Sequence, residues 1–545
     1  MKKTRSLLIL SATLLIQAFT SPITARTPVG GRLNSPTYPP RLYALEKTAQ
    51  PQVSRELVPD AAEEFLIEIE PAAVAENPPM FIIDLPGLPP LKATRTRFLA
   101  YQPDWKSWFG TLRYAKSDSG GEAPGFIHIG YHGDQITALI EFEGERYRIV
   151  GGHEESHRLV QLDGELSPPP CALDDPVDMP QFGHEAPHGD GAPLEAAAAP
   201  SKSAFKVATR IDVLALYPRA FFTMSASVEN GLFTFIQDSI SLANNAFANS
   251  NVNAYYNLVG IVPVLGEYQP TNGIFASLDW LTNETMEVWG LRSTFGADIM
   301  AVFIPFEWNI NDFCGVANLP RAGGGFIPGS GSFDQQAYSA NRNGCGLNDF
   351  TLAHEIGHNY GMYHGDQPVD SLAIFPYGRG HVFAAGGQTK ATLMGCYCPS
   401  GCVVGSAAIC NRIPYFSDPA ISYLGVPTGV LPAGSDPGRN NALVARNQVG
   451  NYAAFYPQST NTPPTANFTV SCSGRTCSFN ASSSTDNVPL PLDTYSYQWD
   501  FGDGTTSEGK VISHTYGSAG TFRVHLVVYD SGGQTDVVWK TATPQ

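Results

Sequence analysis

Three histidines and a glutamate lie close together in the stretch HEIGHNYGMYHGD, which spans residues 354–366. His354 and His358 are four residues apart, so on a helix their side chains project from the same face and can bind one ion. Gly361 follows three residues after His358, and a glycine there can adopt a positive φ and end the helix. The resulting turn would bring His364 back as a third nitrogen ligand. The spacing therefore predicts a metal site with three histidine ligands.

Glu355 lies beside the first of these histidines, where its carboxylate can reach a water molecule at the metal. Three protein ligands and one open position are typical of a catalytic zinc, whereas structural zinc sites fill all four positions with protein. The alternative is that these residues are ordinary polar side chains on a solvated helix face, but it does not explain the helix-ending glycine. We expect a catalytic Zn²⁺ on His354, His358 and His364, with Glu355 as the general base.

The pattern HExxHxxGxxH is the signature of the metzincin metallopeptidases. The stretch HEIGHNYGMYH most resembles the adamalysin/reprolysin branch, including its Asn359 and Met362. In that branch Asp commonly follows the third histidine directly, whereas Gly365 intervenes here. The chain is more similar to bacterial secreted relatives, among them the peptidyl-Asp metalloendopeptidases. The resemblance covers about residues 205–457 and implies a metzincin catalytic domain with a twisted mixed sheet and an active-site helix.

Metzincins also have a Met-turn, a methionine that lies beneath the zinc histidines. By this resemblance, Met394 in ATLMGCY is the expected Met-turn residue, and the alternative is an ordinary core methionine. Some metzincins use a tyrosine two positions after that methionine as an additional zinc ligand. Position 396 is a cysteine here and the nearby tyrosine is Tyr397, so that role is not carried over.

The residues and the resemblance together predict a secreted zinc endopeptidase that hydrolyses peptide bonds in proteins with metal-activated water. The strand in CGVANLP would, by the resemblance, be the sheet edge along which an extended substrate lies. One alternative is a zinc-stabilised, non-catalytic extracellular binding or adhesion protein, which would not require Glu355. A further alternative is a gluzincin-type hydrolase, which would take a glutamate as its third ligand, whereas His364 is well placed here.

Alternating strands and helices surround this motif in residues 205–457. The segments TRIDVLALYP, VNAYYNLVGIVPV and ADIMAVFIPF are predicted strands, and VENGLFTFIQDSISLANNAFANS is a predicted long amphipathic helix. TMEVWGLRSTFG is a further predicted helix, and NNALVARNQVGNYAAFY is the final one. Asn348 or Asp349 is the expected N-cap of the helix that carries His354. This succession predicts an α/β (α+β) domain whose sheet is covered by helices.

The first 204 residues have a different composition. Residues 1–25 contain basic residues before an apolar run and small residues after it, which is the layout of a secretory signal peptide. Residues 26–204 include GFIHIGYHGDQITALIEFEGERYRIVGG, whose period-two alternation broken by glycine predicts the hairpins of a β-rich unit. An Ala/Pro linker closes this region. A folded acidic unit followed by a linker, directly after a signal peptide, indicates a propeptide and therefore a latent precursor.

The nine cysteines are expected to form disulfides in an exported protein, and the odd number leaves at least one without an intramolecular partner. Cys171 is alone in its region. A thiolate is a strong zinc ligand, so Cys171 could fill the open position and keep the precursor latent, as a propeptide cysteine does in adamalysin relatives. The alternatives are a buried free thiol or an intermolecular disulfide.

Cys314 and Cys345 are candidates to form a disulfide with each other. The four cysteines between residues 396 and 410 are expected to pin the wall of the specificity pocket with disulfides rather than to form a metal cluster.

Residues 463–545 contain short alternating strands separated by turns, which predicts a β-sandwich. YQWDFGDG resembles the PKD domain, an immunoglobulin-like sandwich, with Trp499 as its buried core residue. Asp500 and Asp503 are expected to fix the turn, and a structural Ca²⁺ is the alternative. The resemblance implies an accessory carrier or a module that docks bulky, insoluble substrate. The tail is also expected to have its own core, so that its removal leaves the zinc site intact.

The composition is that of a soluble globular protein, with 43% hydrophobic and 15% charged residues. The length of 545 residues is too great for a single core and predicts a multidomain chain. The formal net charge of −17 argues against nucleic acid or an anionic membrane as a partner. We therefore expect an extracellular multidomain protein that acts on proteins or peptides.

Overall fold

The computed structural model describes most of the chain from residue 39 onward. The described residues are 39–45, 58, 60–116, 124–151, 156–163, 207–266, 273–283, 286–305, 313–320, 336–345, 347, 350–365, 373–395, 411–486 and 496–545. We refer to residues 40–163, 207–457 and 463–545 as the N-terminal, central and C-terminal regions. The predicted signal peptide, the Ala/Pro linker and Cys171 lie outside the described residues.

The N-terminal region is an antiparallel sheet with one short helix, α1 (Pro71–Ala75). Its strands are β1 (Tyr43–Leu45), β2 (Ala61–Ile69), β3 (Met80–Ile83), β4 (Leu91–Gln102), β5 (Trp105–Tyr114), β6 (Gly125–His132), β7 (Gln135–Phe142), β8 (Glu145–Val150) and β9 (Arg158–Leu162). Among the described residues these nine strands follow the order β1-β2-β9-β8-β7-β6-β5-β4-β3. The predicted β-rich hairpins correspond to β6–β8, whose turns contain Gly133 and Gly144 at positive φ.

Both faces of this sheet are apolar. One face joins α1 in a core that includes Trp108, Ile127 and Ile140. The opposite face contributes Phe109 and Leu139 to the core of the central region. Because successive side chains on a strand point to opposite faces, the neighbours Trp108 and Phe109 enter different cores. The N-terminal region is therefore packed against the central region rather than attached only by its linker.

The central region is built on a mixed sheet, as the sequence predicts. Its strands are β10 (Thr209–Pro218), β11 (Ala254–Val264), β12 (Ile299–Ile304), β13 (Gly315–Ala317) and β14 (Tyr338–Arg342). In the described part of the chain their order is β11-β10-β12-β14-β13, and all neighbours are parallel except β13 and β14. Strand β13 is thus an antiparallel edge strand. The helices α3 (Ile274–Thr282) and α4 (Met286–Phe295) connect β11 to β12.

A long helix, α2 (Ala226–Asn249), follows β10 and corresponds to the predicted amphipathic helix. It begins at Ser225, whose Oγ accepts a hydrogen bond from the backbone N–H of Val228 and so satisfies one free donor of the first turn. Most of its residues are buried because α2 has neighbours on several sides. It packs on β11 and on α5 (Thr351–Asn359), the helix that carries HEIGH.

The N-cap of α5 differs from the prediction. The structure places Phe350 at this position, with φ 57° and no side-chain cap, and the expected Asn348 and Asp349 lie outside the described residues. The ring of Phe350 is buried and lies 6.2 Å from the ring of Phe126 in the N-terminal region. This tertiary contact accompanies a left-handed conformation that an aromatic residue rarely adopts. A rule based on local capping preference could not include that contact.

The remainder of the central region surrounds the carboxyl end of α5. Strands β15 (Val382–Ala385) and β16 (Gln388–Ala391) form an antiparallel hairpin, and β17 (Asn411–Arg412) pairs parallel with β16. A short hairpin follows, β18 (Ser422–Tyr423) with β19 (Val426–Pro427). The predicted final helix is α6 (Asn441–Tyr452), and Asn440 caps it by accepting from the backbone N–H of Leu443.

The C-terminal region is the predicted two-sheet sandwich. Its strands are β20 (Thr469–Ser473), β21 (Thr476–Asn480), β22 (Ser496–Asp500), β23 (Thr506–Glu508), β24 (Val511–Thr515), β25 (Phe522–Tyr529) and β26 (Thr535–Ala542). In the described residues one sheet has the order β20-β21-β24 and the other β23-β22-β25-β26. Trp499 is 1% exposed and lies in the core between them, as expected.

The C-terminal region also packs on the central region, which the sequence did not predict. Val527 of β25 belongs to the core of the central region, and the ring of His525 stacks on Phe222 at 3.9 Å. His525 lies 3.0 Å from the buried carboxylate of Glu229 in the first turn of α2. The tail therefore has its own core, as predicted, and in addition a buried contact with its neighbour.

Two disulfides occur in the described residues. One joins Cys314 to Cys345, the pair that the sequence suggested, and links the start of β13 to the chain beyond β14. The other joins Cys472 to Cys477 across β20 and β21. The four cysteines between residues 396 and 410 lie outside the described residues. No helix in the described part of the chain is long and apolar enough to cross a membrane.

Candidate active site

The HEIGH segment forms the buried helix α5 in the middle of the central region. The separation of four residues places His354 and His358 on one face of this helix, as predicted. Helix α5 ends at Asn359, and Gly361 follows with φ 86°, the left-handed conformation that a helix-ending glycine adopts. The backbone N–H of Met362 then donates to the carbonyl of Gly357. The turn is therefore the one that the glycine predicts.

The chain beyond this turn is held against a neighbouring segment by backbone hydrogen bonds. The N–H of Tyr363 donates to the carbonyl of Gly378 at 2.7 Å, and the N–H of Gly380 donates back to the carbonyl of Tyr363 at 3.1 Å. A Cβ at Gly380 would lie 2.2 Å from the backbone of Met394, so only glycine fits there. These contacts fix the position of His364.

The three histidines converge on one point. The Nε2 atoms of His354, His358 and His364 are each 3.1 Å from the other two. Three nitrogens at about 2.0–2.1 Å from a tetrahedral zinc would be roughly 3.3 Å apart, so the observed triangle matches one ion with three nitrogen ligands. In the part of the chain that the structure describes, this is the one group of His, Cys, Asp and Glu side chains that could hold a metal.

The other ring nitrogens define which tautomer is present. Nδ1 of His354 lies 2.7 Å from the carbonyl oxygen of Leu393, and Nδ1 of His358 lies 2.9 Å from that of Met362. A carbonyl only accepts, so each Nδ1 carries the proton and each Nε2 presents a lone pair. Burial lowers the pKa of His358 to about 4 and lowers the pKa values of His354 and His364 well below 6.5. Neutral imidazoles are the form that binds zinc.

Glu355 is buried beside these ligands. Burial raises the pKa of its carboxyl to about 8, and the positive charge of Arg412 opposes part of that rise. Its Oε1 atom is buried and has no hydrogen-bond partner among the described residues. An orphaned buried carboxylate oxygen beside three convergent nitrogens fits a site that takes a divalent cation, because such a cation favours the ionised carboxylate.

Glu355 also lies against the edge strand of the sheet. A Cβ at Gly315 in β13 would be 2.5 Å from Oε1 of Glu355, so glycine is required for this close approach. The disulfide at Cys314 holds the start of the same strand. The glutamate therefore lies between the histidine triangle and β13.

Met394, the expected Met-turn residue, lies next to the histidine helix. Its side chain is fully buried, and a Cβ at Gly357 would lie 2.6 Å from its Sδ. Gly357 is in the turn of α5 that precedes His358, so the methionine packs against the base of the histidine helix. The residue immediately before it, Leu393, provides the carbonyl that accepts from His354.

A polar residue at the end of α5 ties the helix to the sheet. The side-chain amide of Asn359 donates to the carbonyls of Asn318, Gln336 and Tyr338 at 2.6–3.0 Å. The hydroxyl of Tyr452 in α6 donates to the backbone carbonyl of Asn359. Buried hydrogen bonds from the amide nitrogen of Asn359 therefore join the end of α5 to the sheet, while its Oδ1 has no partner among the described residues.

One residue near the site was not singled out from the sequence. Arg412 is 4% exposed and lies in β17, and its positive charge lowers the pKa values of all three histidines and of Glu355. It belongs to RIPYFSDP, a segment that the sequence connected only with the approach to the final helix. No local pattern marks it, because its proximity to α5 depends on the pairing of β17 with β16.

The aspartates considered as Ca²⁺ ligands are engaged with protein groups. Asp500 accepts from the backbone N–H of Gly502 and from the guanidinium of Arg219. Asp503 accepts from Thr505 and lies 2.8 Å from a ring nitrogen of His514. These contacts favour the expected role in the turn. Tyr397 and the cysteines on either side of it lie outside the described residues.

The chain is similar to known proteins. Residues 233–365 match the model of the reprolysin-like metallopeptidases of family M12B, and residues 461–543 match that of the PKD domain. A peptidyl-Asp metalloendopeptidase of Xanthomonas campestris pv. campestris is 26% identical over 438 residues, which cover 76% of this chain and 91% of that protein. One of Stenotrophomonas maltophilia is 25% identical over 71% of this chain and 85% of that protein. Among solved structures, the PKD1 domain of Vibrio anguillarum Epp is 32% identical over 16% of this chain and 96% of that chain, with a TM-score of 0.14.

Proposed function

We propose that this chain, a zinc metalloendopeptidase with a reprolysin-like metallopeptidase domain and a PKD domain, is exported as a latent precursor and cleaves proteins through Glu355 and three histidines. The peptidase assignment confirms the sequence prediction and argues against the non-catalytic binding protein. The observation that carries the proposed site is the 3.1 Å triangle of Nε2 atoms on His354, His358 and His364, with the orphaned oxygen of Glu355 beside it.

Zinc, when bound by these histidines, supplies Lewis acidity that makes water nucleophilic near neutral pH and polarises a peptide carbonyl. The chain's own contribution begins with Glu355, which takes the proton from the attacking water at Oε1 or Oε2 and then passes it to the leaving amine nitrogen. The hydrogen bonds from Nδ1 of His354 and His358 keep the two Nε2 lone pairs aimed at the ion throughout.

Strand β13 provides the surface on which substrate binds in this proposal. It is the edge of the central sheet among the described strands, and Gly315 brings it against Glu355. A substrate chain in extended conformation can add to such an edge by backbone hydrogen bonds. The same edge position was expected from the resemblance for the strand in CGVANLP.

The names of the relatives suggest a preference for aspartate. Both are called peptidyl-Asp metalloendopeptidases. We transfer this preference to the present chain as part of the proposal, because the buried cation Arg412 lies close enough to influence every ionisable group of the histidine site. An acidic substrate side chain is the natural partner for such a charge.

Export and latency rest on the N-terminal part of the chain. Residues 1–25 have the layout of a signal peptide, and we assign residues 26–204 to a propeptide, 205–457 to the catalytic domain and 463–545 to the PKD domain. The packing of the N-terminal sheet against α2 and Phe350 supports a propeptide that is docked before it is removed. Met394 is assigned to the Met-turn, and Cys171 remains the candidate ligand for latency.

A chelator experiment tests the proposed activity. The mature protein is incubated with a fluorogenic protein substrate, with and without 1,10-phenanthroline, and zinc is then restored. We expect loss of cleavage with chelator and recovery with zinc, at one zinc per chain. Cleavage that persists after zinc is removed would contradict the proposed site.

A further inference from the structure

Arg412 lies in a defined register beside the Met-turn. It is aligned with Ala391 in the parallel pair of β16 and β17, and the backbone N–H of Ile413 donates to the carbonyl of Ala391 at 2.8 Å. Two residues farther along each strand, the N–H of Leu393 donates to the carbonyl of Tyr415. Because Leu393 provides the carbonyl that orients His354, the β17 segment is tied directly to the zinc ligands.

The alternation of side chains places Arg412 on the face of this small sheet that is turned to the site. Lys390, aligned with Asn411, extends to the opposite side, where its ammonium group lies 3.2 Å from Glu141 of the N-terminal region. Ala391, aligned with Arg412, packs beside Gly395, the residue after Met394. Residues at successive positions of a strand point to opposite faces, so Arg412 shares the face of Ala391 and the Met-turn.

The electrostatics agree with this placement. Arg412 is 4% exposed, so its positive charge lies inside the protein rather than in solvent. With a divalent cation in place, the site would carry two neighbouring positive centres within a buried environment, where charges interact more strongly than in water. Such a site attracts an anionic group and disfavours a cationic one.

We infer that Arg412 is the specificity-determining residue of this peptidase, and that its guanidinium binds the carboxylate of an acidic substrate residue next to the scissile bond. The inference rests on the proposed function and assigns one residue to the acidic preference. Arginine suits the role because its planar fork donates two parallel hydrogen bonds to one carboxylate. A substrate amide of the same shape could not accept both bonds, so Asp and Asn should be strongly distinguished.

The test uses two peptides that differ only by Asp or Asn next to the scissile bond, with the cleavage position checked by mass spectrometry. For the parent we expect kcat/KM to be at least about 30-fold higher for the Asp peptide, since loss of one partner of a buried charge pair commonly has at least that effect. Arg412→Gln should reduce the ratio to near one, and Arg412→Lys should retain part of it.

The matched control is Lys390→Gln, which removes a cation from the adjacent strand but on the opposite face. It should keep the parental Asp/Asn ratio. Zinc content and melting temperature of each variant establish that the site and the fold persist. If Arg412→Gln does not fold, the parent ratio and Arg412→Lys still decide the matter, because a parental ratio near one overturns the inference by itself.

A binding measurement gives a readout independent of turnover. In the Glu355→Gln background, fluorescence anisotropy should show tighter binding of the Asp peptide than of the Asn peptide, and addition of Arg412→Gln should abolish the difference. Equal cleavage of the two peptides by the parent would refute the role of Arg412 but leave the peptidase intact. Absence of cleavage of either peptide, and of any protein substrate, would instead refute the proposed function.

Discussion

The N-terminal sheet and the C-terminal sandwich pack on the same helix, α2, but at different places. The N-terminal sheet contacts the middle and the end of the helix, where Asp238 is buried within reach of His128 and His132. The C-terminal sandwich contacts the first turn, where Glu229 is buried against His525 and Arg523. Each neighbour thus supplies basic side chains to one buried acid of α2. Burial of an acid is tolerated only with such partners.

The two neighbours differ in what else they contact. The N-terminal sheet reaches elements that build the active site: Arg148 donates to the carbonyl of Gly344, Glu141 pairs with Lys390 on β16, and Phe126 packs on Phe350 at the start of α5. The sandwich contacts other elements. Arg219 binds Asp500, and Arg523 donates to backbone carbonyls of the turn at Phe221 and Phe222. The first neighbour is therefore placed to affect catalysis, and the second to support the fold.

Deletion of residues 463–545 should have the largest effect on stability. It would expose Phe222 and leave Glu229 of α2 without either basic partner, and loss of partners around a buried charge commonly costs about 3–5 kcal/mol. We expect a clearly lower melting temperature, with zinc content and cleavage of short peptides per folded molecule unchanged. A truncated protein as stable as the parent would show that the interface contributes nothing.

The His525→Ala substitution should reproduce much of that loss with a single change. It removes the stack on Phe222 and one partner of Glu229, and both His525 and Glu229 are about 1% exposed. We expect a cost of about 3 kcal/mol in the free energy of unfolding. Combined with Glu229→Gln, the two changes should cost less than their sum. Additive costs would mean that the two residues do not interact.

The stability of the interface between the N-terminal sheet and α2 should depend on pH. Burial lowers the pKa of His128 to about 4, from 6.5 in the unfolded chain. Between these values the unfolded chain binds a proton that the folded chain does not, so stability should fall as pH decreases from about 6.5 to 4 and then level off. The pKa shift of His128 can change the free energy of unfolding by up to about 3 kcal/mol over this pH range. The variant His128→Phe should lose this part of the pH dependence, and an unchanged curve would exclude His128 as its source.

The smallest effect is expected at the pair between Glu141 and Lys390. Glu141 is partly exposed, with a side-chain exposure of 20%, so the Coulombic gain is reduced by solvent. We expect Glu141→Gln to change the free energy of unfolding by less than about 1 kcal/mol. The conservative change keeps a hydrogen-bonding side chain opposite Lys390. A much larger loss would show that this contact, rather than Asp238, holds the N-terminal sheet in place.

The sequence predicted those features of the molecule that depend on residues close together in the chain. His354, His358 and Gly361 lie within one helix and its turn, so their spacing alone indicated a metal site and the return of His364. The strands β10, β11 and β12 were evident as apolar runs bounded by turn residues.

The features that the sequence did not predict depend on contacts between segments that are distant in the chain. Phe350 replaces the expected polar N-cap because it packs on Phe126, more than two hundred residues earlier. Arg412 approaches the histidines through the register of β17 on β16, and no spacing along the chain records that pairing. In the same way, Glu229 and Asp238 look like exposed polar positions of an amphipathic helix until their histidine partners are known.

The central claim is that Glu355 moves protons at a zinc held by three histidines, and one variant tests it most directly. Glu355→Gln preserves the shape of the side chain and all three ligands but removes the base. We predict one zinc per chain, as in the parent, with peptide hydrolysis reduced by at least the roughly 10²–10⁴-fold that general-base catalysis contributes. The control His358→Ala should lose both zinc and activity. A Glu355→Gln protein that retains zinc and cleaves peptides at a rate near the parent's would contradict the account.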